Sequence, residues 1–189
     1  GFAAAALADQ HELFARGAES LRYLMGQIHI ENVMVQVLTQ QIVEQLKPEE
    51  AAPVLLEFLD HPRARTRKLA VYFLGFYETP EHADKIIPLL ADGEAAGAAI
   101  RTLDKWRVKS AVPEILPFLS HEKEPRRVAA ANALRDIGDP AALPALEKAL
   151  NDPYFTVRET AARALRALKA PDAEHLNSNG VIRTMPDQS

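Results

Sequence analysis

The sequence contains no cysteine among its 189 residues. Disulfide bonds, thiolate metal sites and a cysteine nucleophile are therefore excluded. Aromatic residues make up only 6%, and the β-branched, glycine-punctuated texture of an all-β protein is missing. Apolar runs all fall short of the roughly 18 residues that a membrane-spanning helix needs, so no membrane insertion is expected. The hydrophobic content of 48% is still enough to bury a core, and helix is the predicted secondary structure.

An excess of charge of one sign is also absent from most of the chain. Residues 1–50 carry 3 basic and 7 acidic side chains, whereas residues 51–174 carry 18 of each. A balanced central region gives no long-range field to hold a polyanion. Nucleic acid is therefore not expected as the main ligand, although a local basic strip is compatible with this balance.

The motifs of common catalytic and metal sites are missing as well. The sequence has no GxSxG elbow, Gly-rich phosphate loop, GxGxxG turn, HExxH helix or EF-hand spacing. The pairs His11-Glu12 and His121-Glu122 do not complete a ligand set, and solvated histidines are the simpler interpretation. We therefore predict no catalytic residue, no metal and no cofactor.

What the sequence does contain is an internal repeat of about 31 residues. A leucine ends the apolar stretch before a polar turn four times, at Leu59, Leu90, Leu119 and Leu150. A second stretch carries three more rows, namely Ala70, Ala99, Ala130 and Ala161; Leu74, Leu103, Leu134 and Leu165; and Tyr77, Trp106, Ile137 and Leu168. These rows lie at i, i+4 and i+7, which is one face of a helix. We expect that face to form the core.

Prolines mark the helices of each repeat. The first helices carry Pro53, Pro113 and Pro144, expected near the first turn, where a missing N–H costs little. Pro80 and Pro140 follow second helices and end them. The four predicted units are helical hairpins at 51–82, 83–110, 111–140 and 141–174, and a single hairpin of this size must stack on its neighbours to cover its apolar face.

The segments Pro144 to Leu150 and Val157 to Leu165, joined by Asn151-Asp152-Pro153, resemble bacterial HEAT-like repeats of the phycobilisome-lyase type. The resemblance implies an all-α, right-handed α-solenoid of helical-hairpin (HEAT-like) repeats. It further implies that second helices line a concave surface and first helices a convex one. It does not imply lyase activity.

The two ends lack the repeat signature. Residues 1–50 are predicted to form a capping hairpin of two helices, with apolar positions that include Val33 and Val37. Residues 175–189 resemble a polar tail. Ala6-Leu7-Ala8 before Asp9 resembles the end of a secretory signal, but an alanine-rich helix turn is the preferred interpretation. The compartment is therefore undetermined, cytoplasmic by default, with export as the alternative.

Positions that the core does not use predict a surface on the second helices. One row consists of Tyr72, Arg101, Asn132 and Arg163, and the next of Gly75, Asp104, Arg135 and Arg166. Tyrosine and arginine are the types that anchor interfaces. The predicted partner-binding residues in the concave groove are Tyr72, Phe76, Arg101, Asn132, Arg135, Arg163 and Arg166; a solvated helix face is the alternative.

Two other sets of residues have competing interpretations. Arg67, Arg127 and Arg158 open the second helices, with Asp60 and Asp152 in the turns before; they are expected to tie successive turns together, and an anion-binding ladder is the alternative. Trp106 with Asp104 is the only counterpart of the concave tryptophan and acidic residue of HEAT-like DNA glycosylases. Its place in the core row predicts burial instead.

The preferred function is therefore a non-enzymatic scaffold that binds a partner protein or peptide in the groove, with tyrosine packing and arginines pairing acidic groups. A nucleic-acid-binding or DNA-glycosylase-like protein is the first alternative. A chromophore-lyase-like accessory protein is the second. The identity of the partner and the oligomeric state are not encoded in any motif.

Overall fold

The structure, a computed structural model, describes residues 10–28 and 33–169. The signal-like segment before Asp9 and the polar tail 175–189 lie outside these residues. The described chain contains helices and no strand, as predicted. The α-helices are α1 (Gln10–Ala15), α2 (Ala18–Gln27), α3 (Val33–Gln45), α4 (Pro48–Glu57), α5 (Ala64–Leu74), α6 (Ala83–Ile86), α7 (Ala96–Lys105), α8 (Val112–Ile115), α9 (Glu124–Ile137), α10 (Leu143–Ala149) and α11 (Phe155–Lys169). Within the described ranges, no helix is long and apolar enough to cross a membrane.

The chain divides into two compact units, unit 1 from Gly1 to Ala111 and unit 2 from Val112 to Ser189. In unit 1, α2 packs on α3 and α4, and α5 packs on α7. In unit 2, α11 packs on both α9 and α10. The division falls one residue after the predicted start of the third repeat.

The predicted core rows form the contacts between these helices. Ala70, Ala99, Ala130 and Ala161 are all 0% exposed, and the leucine row Leu74, Leu103, Leu134 and Leu165 is buried throughout. Alanine leaves the helix axes close together where they cross, and leucine fills the wider space beside it. In the third row Tyr77, Trp106 and Ile137 are buried, whereas Leu168, in the last turn of α11, is only half-buried. The helix face predicted from the i, i+4 and i+7 spacing is therefore confirmed except at Leu168.

The first helices of the second and third repeats are short and irregular, and proline accounts for this. Pro88 and Pro117 lie in 3₁₀ segments, Ile87–Ala91 and Leu116–Ser120, that follow one-turn α-helices. Proline has no N–H for the α-helical bond and its ring crowds the preceding turn. Where Lys148 replaces it in the fourth repeat, α10 runs without a break to Ala149.

One proline was misplaced by the sequence argument. Pro113 and Pro144 lie in the first turns of α8 and α10, as predicted. Pro53 instead lies inside α4, because that helix begins five residues earlier at Pro48. The first helix of that repeat therefore begins before residue 51.

The prediction of two helices for residues 1–50 is wrong. The first predicted helix is divided into α1 and α2 at Gly17, whose φ of +48° lies in the left-handed region that favours glycine. A Cβ there would also approach Leu46 Cδ2 at 3.3 Å. With α3, the described residues 10–28 and 33–45 contain three helices.

The buried face of α3 also differs from the prediction. Val33 and Val37 are 74% and 43% exposed. The buried positions Val35, Leu38, Thr39, Ile42 and Val43 form one continuous stripe instead. Thr39 can lie in that stripe because its hydroxyl donates to the Val35 carbonyl at 2.6 Å.

Candidate functional site

The second helices of unit 1 carry an aromatic surface. Tyr72 on α5 is 40% exposed, and Phe76, just beyond the end of that helix, is half-buried. Their ring centroids lie 5.3 Å apart in an edge-on arrangement, and Phe73 supports both from the core. Such aromatic pairs stabilise one another beyond the area they bury, so the exposed tyrosine is held in place before any partner arrives.

Two cations border this aromatic pair. Arg101 and Lys105 on α7 line, together with Tyr72, Gly75 and Phe76, a depression of ≈ 290 Å³. Lys105 Nζ donates to the Gly75 carbonyl at 2.6 Å. Arg101 is exposed and forms no ion pair with any residue that the structure describes. We call Tyr72, Phe76, Arg101 and Lys105 the unit 1 surface.

Lys105 was not among the residues predicted from the sequence. It lies four residues after Arg101, which places both cations on the same side of α7. The spacing of four residues could have indicated that Lys105 lies beside Arg101. It was overlooked because the adjacent Asp104 fell in the predicted surface row and Lys105 did not.

Gly75, in the predicted surface row, also allows close packing of α5 and α7. A Cβ at this position would lie 2.8 Å from Thr102 Oγ1, and the Thr102 hydroxyl donates to the Val71 carbonyl at 3.1 Å. A glycine therefore lets α5 and α7 approach closely. Gly75 is half-buried against α7 and lines the depression described above.

The second helices of unit 2 present arginines. Arg163 and Arg166 on α11 are exposed, while Asn132 and Arg135 on α9 are half-buried. Arg135 donates to both carboxylate oxygens of Asp136, at 2.6 and 2.9 Å, and to Asn132 Oδ1 at 3.2 Å. Its charge is thus compensated within its own helix. Arg163 and Arg166 form no ion pair with any residue of the described ranges. We call Asn132, Arg135, Arg163 and Arg166 the unit 2 surface.

Arg67 and Arg127, which open second helices, have the structural role predicted for them. Arg67 Nε donates to Asp92 at 2.6 Å, and Arg127 donates to Asp152 through Nε at 2.7 Å and Nη2 at 3.1 Å. Each carboxylate comes from the turn of the following repeat. Asp60, expected as a partner because it lies just before Arg67, is exposed and does not take part.

Both paired carboxylates have lowered pKa values. Burial alone would raise the pKa of Asp152, but hydrogen bonds from Arg127 and from the Tyr154 N–H, and the charges of Arg127 and Arg158, lower it. Burial opposes ionisation of Asp92 in the same way and is outweighed by the Ala95 N–H and Arg67. These pairs stabilise the folded chain and leave no free carboxylate or guanidinium for a ligand.

A larger depression of ≈ 600 Å³ lies beside the Arg127–Asp152 pair in unit 2. Its two most buried charges already neutralise each other, with both side chains 8% exposed. The Tyr154 ring covers the guanidinium with its centroid 5.2 Å from Arg127 Cζ. This depression therefore lies at a junction between two repeats, where the buried charges are already paired with each other.

Trp106 is buried, as its core row predicted. It is 8% exposed, and its indole Nε1 donates to the Tyr77 carbonyl at 2.5 Å. It does not contribute to the unit 1 surface. The glycosylase-like interpretation therefore loses the tryptophan on which it depended.

No three histidine, aspartate or glutamate side chains of residues 10–28 and 33–169 cluster in a way that could hold a metal ion.

Comparison with known proteins agrees with the fold. Residues 84–166 match the family model described as HEAT repeats. No curated protein matches the sequence. Among solved structures, the chain is similar to a designed armadillo repeat protein in complex with the peptide (KR)4, at 19% identity and a TM-score of 0.60, covering 87% of this chain and 92% of that one. The chain therefore has an all-α repeat-solenoid fold, with HEAT-like repeats over residues 84–166.

Proposed function

We propose that the chain is a non-enzymatic scaffold that binds a segment of a partner protein through the surfaces of its second helices. The unit 1 surface packs an apolar or aromatic side chain of the partner. Arg101 pairs with a carboxylate next to it. The unit 2 surface takes further carboxylates through Arg163 and Arg166.

The observation that carries this proposal is the exposed Tyr72–Phe76 pair beside Arg101. Tyr72 is 40% exposed, so part of its apolar ring stays in contact with water unless a partner covers it. Burying that area would stabilise a complex. An adjacent guanidinium without an ion pair supplies the fork that recognises a carboxylate. Large rigid aromatics and arginines are the side chains that dominate binding energy at interfaces.

The similarity to a peptide-bound repeat protein supports a peptide-like partner. That designed protein is in complex with (KR)4, which is a basic peptide. On the two surfaces here, Arg101, Arg163 and Arg166 lack an ion pair within the described residues. All three are cations, so they would repel the same peptide. The partner that fits is acidic, with carboxylates next to apolar side chains.

Three labelled octapeptides test this chemistry: (Glu-Leu)4, (Lys-Leu)4 and (KR)4. Fluorescence anisotropy with the full chain should show binding of (Glu-Leu)4 and at least about tenfold weaker binding of both basic peptides. Tyr72→Ala and Arg101→Glu should each weaken (Glu-Leu)4 by about tenfold or more. Equal affinity for (Glu-Leu)4 and (Lys-Leu)4 would show that Arg101 does not select the partner.

Glu114→Lys is the matched control for charge. Glu114 is exposed on the first helix α8, away from the second-helix rows. This variant should bind (Glu-Leu)4 as the natural chain does.

The nucleic-acid alternative keeps one supporting observation, the exposed pair Arg163 and Arg166 on one face of α11. A polyanion bound there would show an affinity that falls steeply with salt and depends little on Tyr72. Repeating the titration with a single-stranded oligonucleotide between 50 and 200 mM salt separates the two functions. The chromophore-lyase alternative rests on the sequence resemblance alone.

A further inference from the structure

Two arginines of the chain show the same four-part contact. Arg67 Nη1 donates to the carbonyls six and five residues earlier, at 2.7 and 3.1 Å, and Arg127 Nη1 does so at 2.8 and 3.1 Å. Each guanidinium is thereby fixed to its own turn. The remaining edge of each faces the carboxylate found 25 residues later in the chain, Asp92 and Asp152. In two places, therefore, an arginine held in this way pairs with an aspartate of the following repeat.

Arg158 is the third member of this set and has the same fixed orientation. Its Nη1 donates to the Asp152 carbonyl at 2.8 Å and to the Pro153 carbonyl at 2.9 Å. Over residues 10–28 and 33–169, no carboxylate lies within ion-pair distance of it. The residue 25 positions later is Arg183, which has no carboxylate. At this spacing the sequence therefore has an arginine where the first two members of the set have an aspartate.

Two apolar side chains near Arg158 are exposed, and one of them, Leu150, has covered counterparts in earlier repeats. Leu150 is 39% exposed, whereas Leu59 and Leu119 in the same row are 3% and 6% exposed. Phe155 is 69% exposed, and its ring centroid lies 5.8 Å from Arg158 Cζ. In the third repeat the corresponding leucine is covered because Leu116–Ser120 packs against α10. We call Leu150, Phe155 and Arg158 the end face.

We propose that the end face binds an amphipathic helical segment of a partner protein that ends in an aspartate-bearing turn. The aspartate forms the bidentate pair with Arg158 that Asp152 forms with Arg127, and the helix covers Leu150 and Phe155. In the internal precedent, Asp152 also accepts from the Tyr154 N–H at 2.9 Å, and the Tyr154 ring covers Arg127. An aromatic residue two positions after the aspartate is therefore the preferred partner sequence.

The chain itself supplies the probe for this proposal. A labelled peptide with the sequence of residues 140–156 contains the first helix and acidic turn that cover the third repeat. A second peptide differs only by asparagine at the position of Asp152. In anisotropy titrations the full chain should bind the aspartate peptide at least about tenfold more tightly than the asparagine peptide. Changing the peptide leaves the folding of the protein untouched.

Two protein variants locate the binding. Arg158→Gln should bind both peptides equally weakly, and Arg65→Gln, which removes an exposed arginine from α5, should behave as the natural chain. The Arg163→Glu/Arg166→Glu variant should keep its preference for the aspartate peptide, which separates the end face from the unit 2 surface. Failure of the proposed second-helix function would leave this result unchanged.

Equal binding of the two peptides by the natural chain, or an undiminished preference in Arg158→Gln, would overturn the proposal. Sedimentation at increasing protein concentration provides a further check. Self-association that Arg158→Gln abolishes would assign the end face to a second copy of this chain and would contradict a separate partner.

Discussion

Replacing Asp152 by asparagine tests how much a buried repeat junction contributes to folding. The substitution keeps the size of the side chain and the oxygen that accepts from the Tyr154 N–H at 2.9 Å. It removes the charge that faces Arg127. The guanidinium stays in place, since its Nη1 still donates to two carbonyls of its own turn.

The expected cost follows from burial. Both side chains of the Arg127–Asp152 pair are 8% exposed, so water cannot replace the lost carboxylate. Leaving one charge of such a pair without its partner should cost about 2–4 kcal/mol. The Lys169–Glu147 pair is a matched comparison, because its separation of 2.8 Å is similar but its side chains are 56% and 54% exposed. Glu147→Gln should cost at most about 1 kcal/mol.

Urea denaturation followed by circular dichroism measures both values. A cost for Asp152→Asn below about 1 kcal/mol, or one equal to that of Glu147→Gln, would refute the argument. The difference should also depend on pH. Because the folded pKa of Asp152 is lowered from its ordinary value of 3.8, the stabilisation is complete above that value and is lost as pH falls through the folded pKa. The natural chain and the variant should therefore converge in stability below about pH 4.

Three further predictions concern the core. Leu134→Ala should lower the free energy of unfolding by roughly 2–5 kcal/mol, because the side chain is 0% exposed. Leu150→Ala, at 39% exposure, should lower it by under about 1 kcal/mol. Similar losses for the two variants would mean that the helix face assigned to the core is wrong. Trp106 should emit at short wavelength and shift red on unfolding, and rapid acrylamide quenching of the native protein would contradict its burial. Burial, with a contribution from Glu50, raises the pKa of Tyr77 to about 12, so stability should fall as pH rises between about 10 and 12. Tyr77→Phe should lack this alkaline loss, and an unchanged loss in that variant would assign it to other groups.

The repeat could be predicted because its apolar residues recur at a nearly constant spacing. Its core rows could be predicted because helix geometry is local. Alanine and leucine recur at a spacing near 31 residues, and i, i+4 and i+7 positions share a face in any α-helix. Which face of α3 is buried could not be predicted from the apolar character of its residues alone. Thr39 is buried there because its hydroxyl reaches the Val35 carbonyl, whereas the more apolar Val33 lies exposed.

Pairing partners were harder to predict than helix faces. Asp60 is seven residues from Arg67 in sequence, yet the carboxylate that Arg67 binds is Asp92 of the following repeat. Sequence proximity misleads here because stacking brings together residues one repeat apart. Arg135 belongs to the predicted row, but its charge is compensated by the adjacent Asp136. Adjacent residues do not normally face each other on a helix, so the row gave no sign of this pair.

The binding of (Glu-Leu)4 by the Arg163→Glu/Arg166→Glu variant tests the central claim most directly. Both side chains are exposed, so the midpoint of urea denaturation should stay nearly unchanged. The loss of two arginines that pair with a partner's carboxylates should weaken the peptide by about tenfold or more, while Glu114→Lys leaves it unaffected. If Glu114→Lys lost the peptide and the double variant retained it, the partner would bind the first helices, and the proposed second-helix surfaces would be wrong.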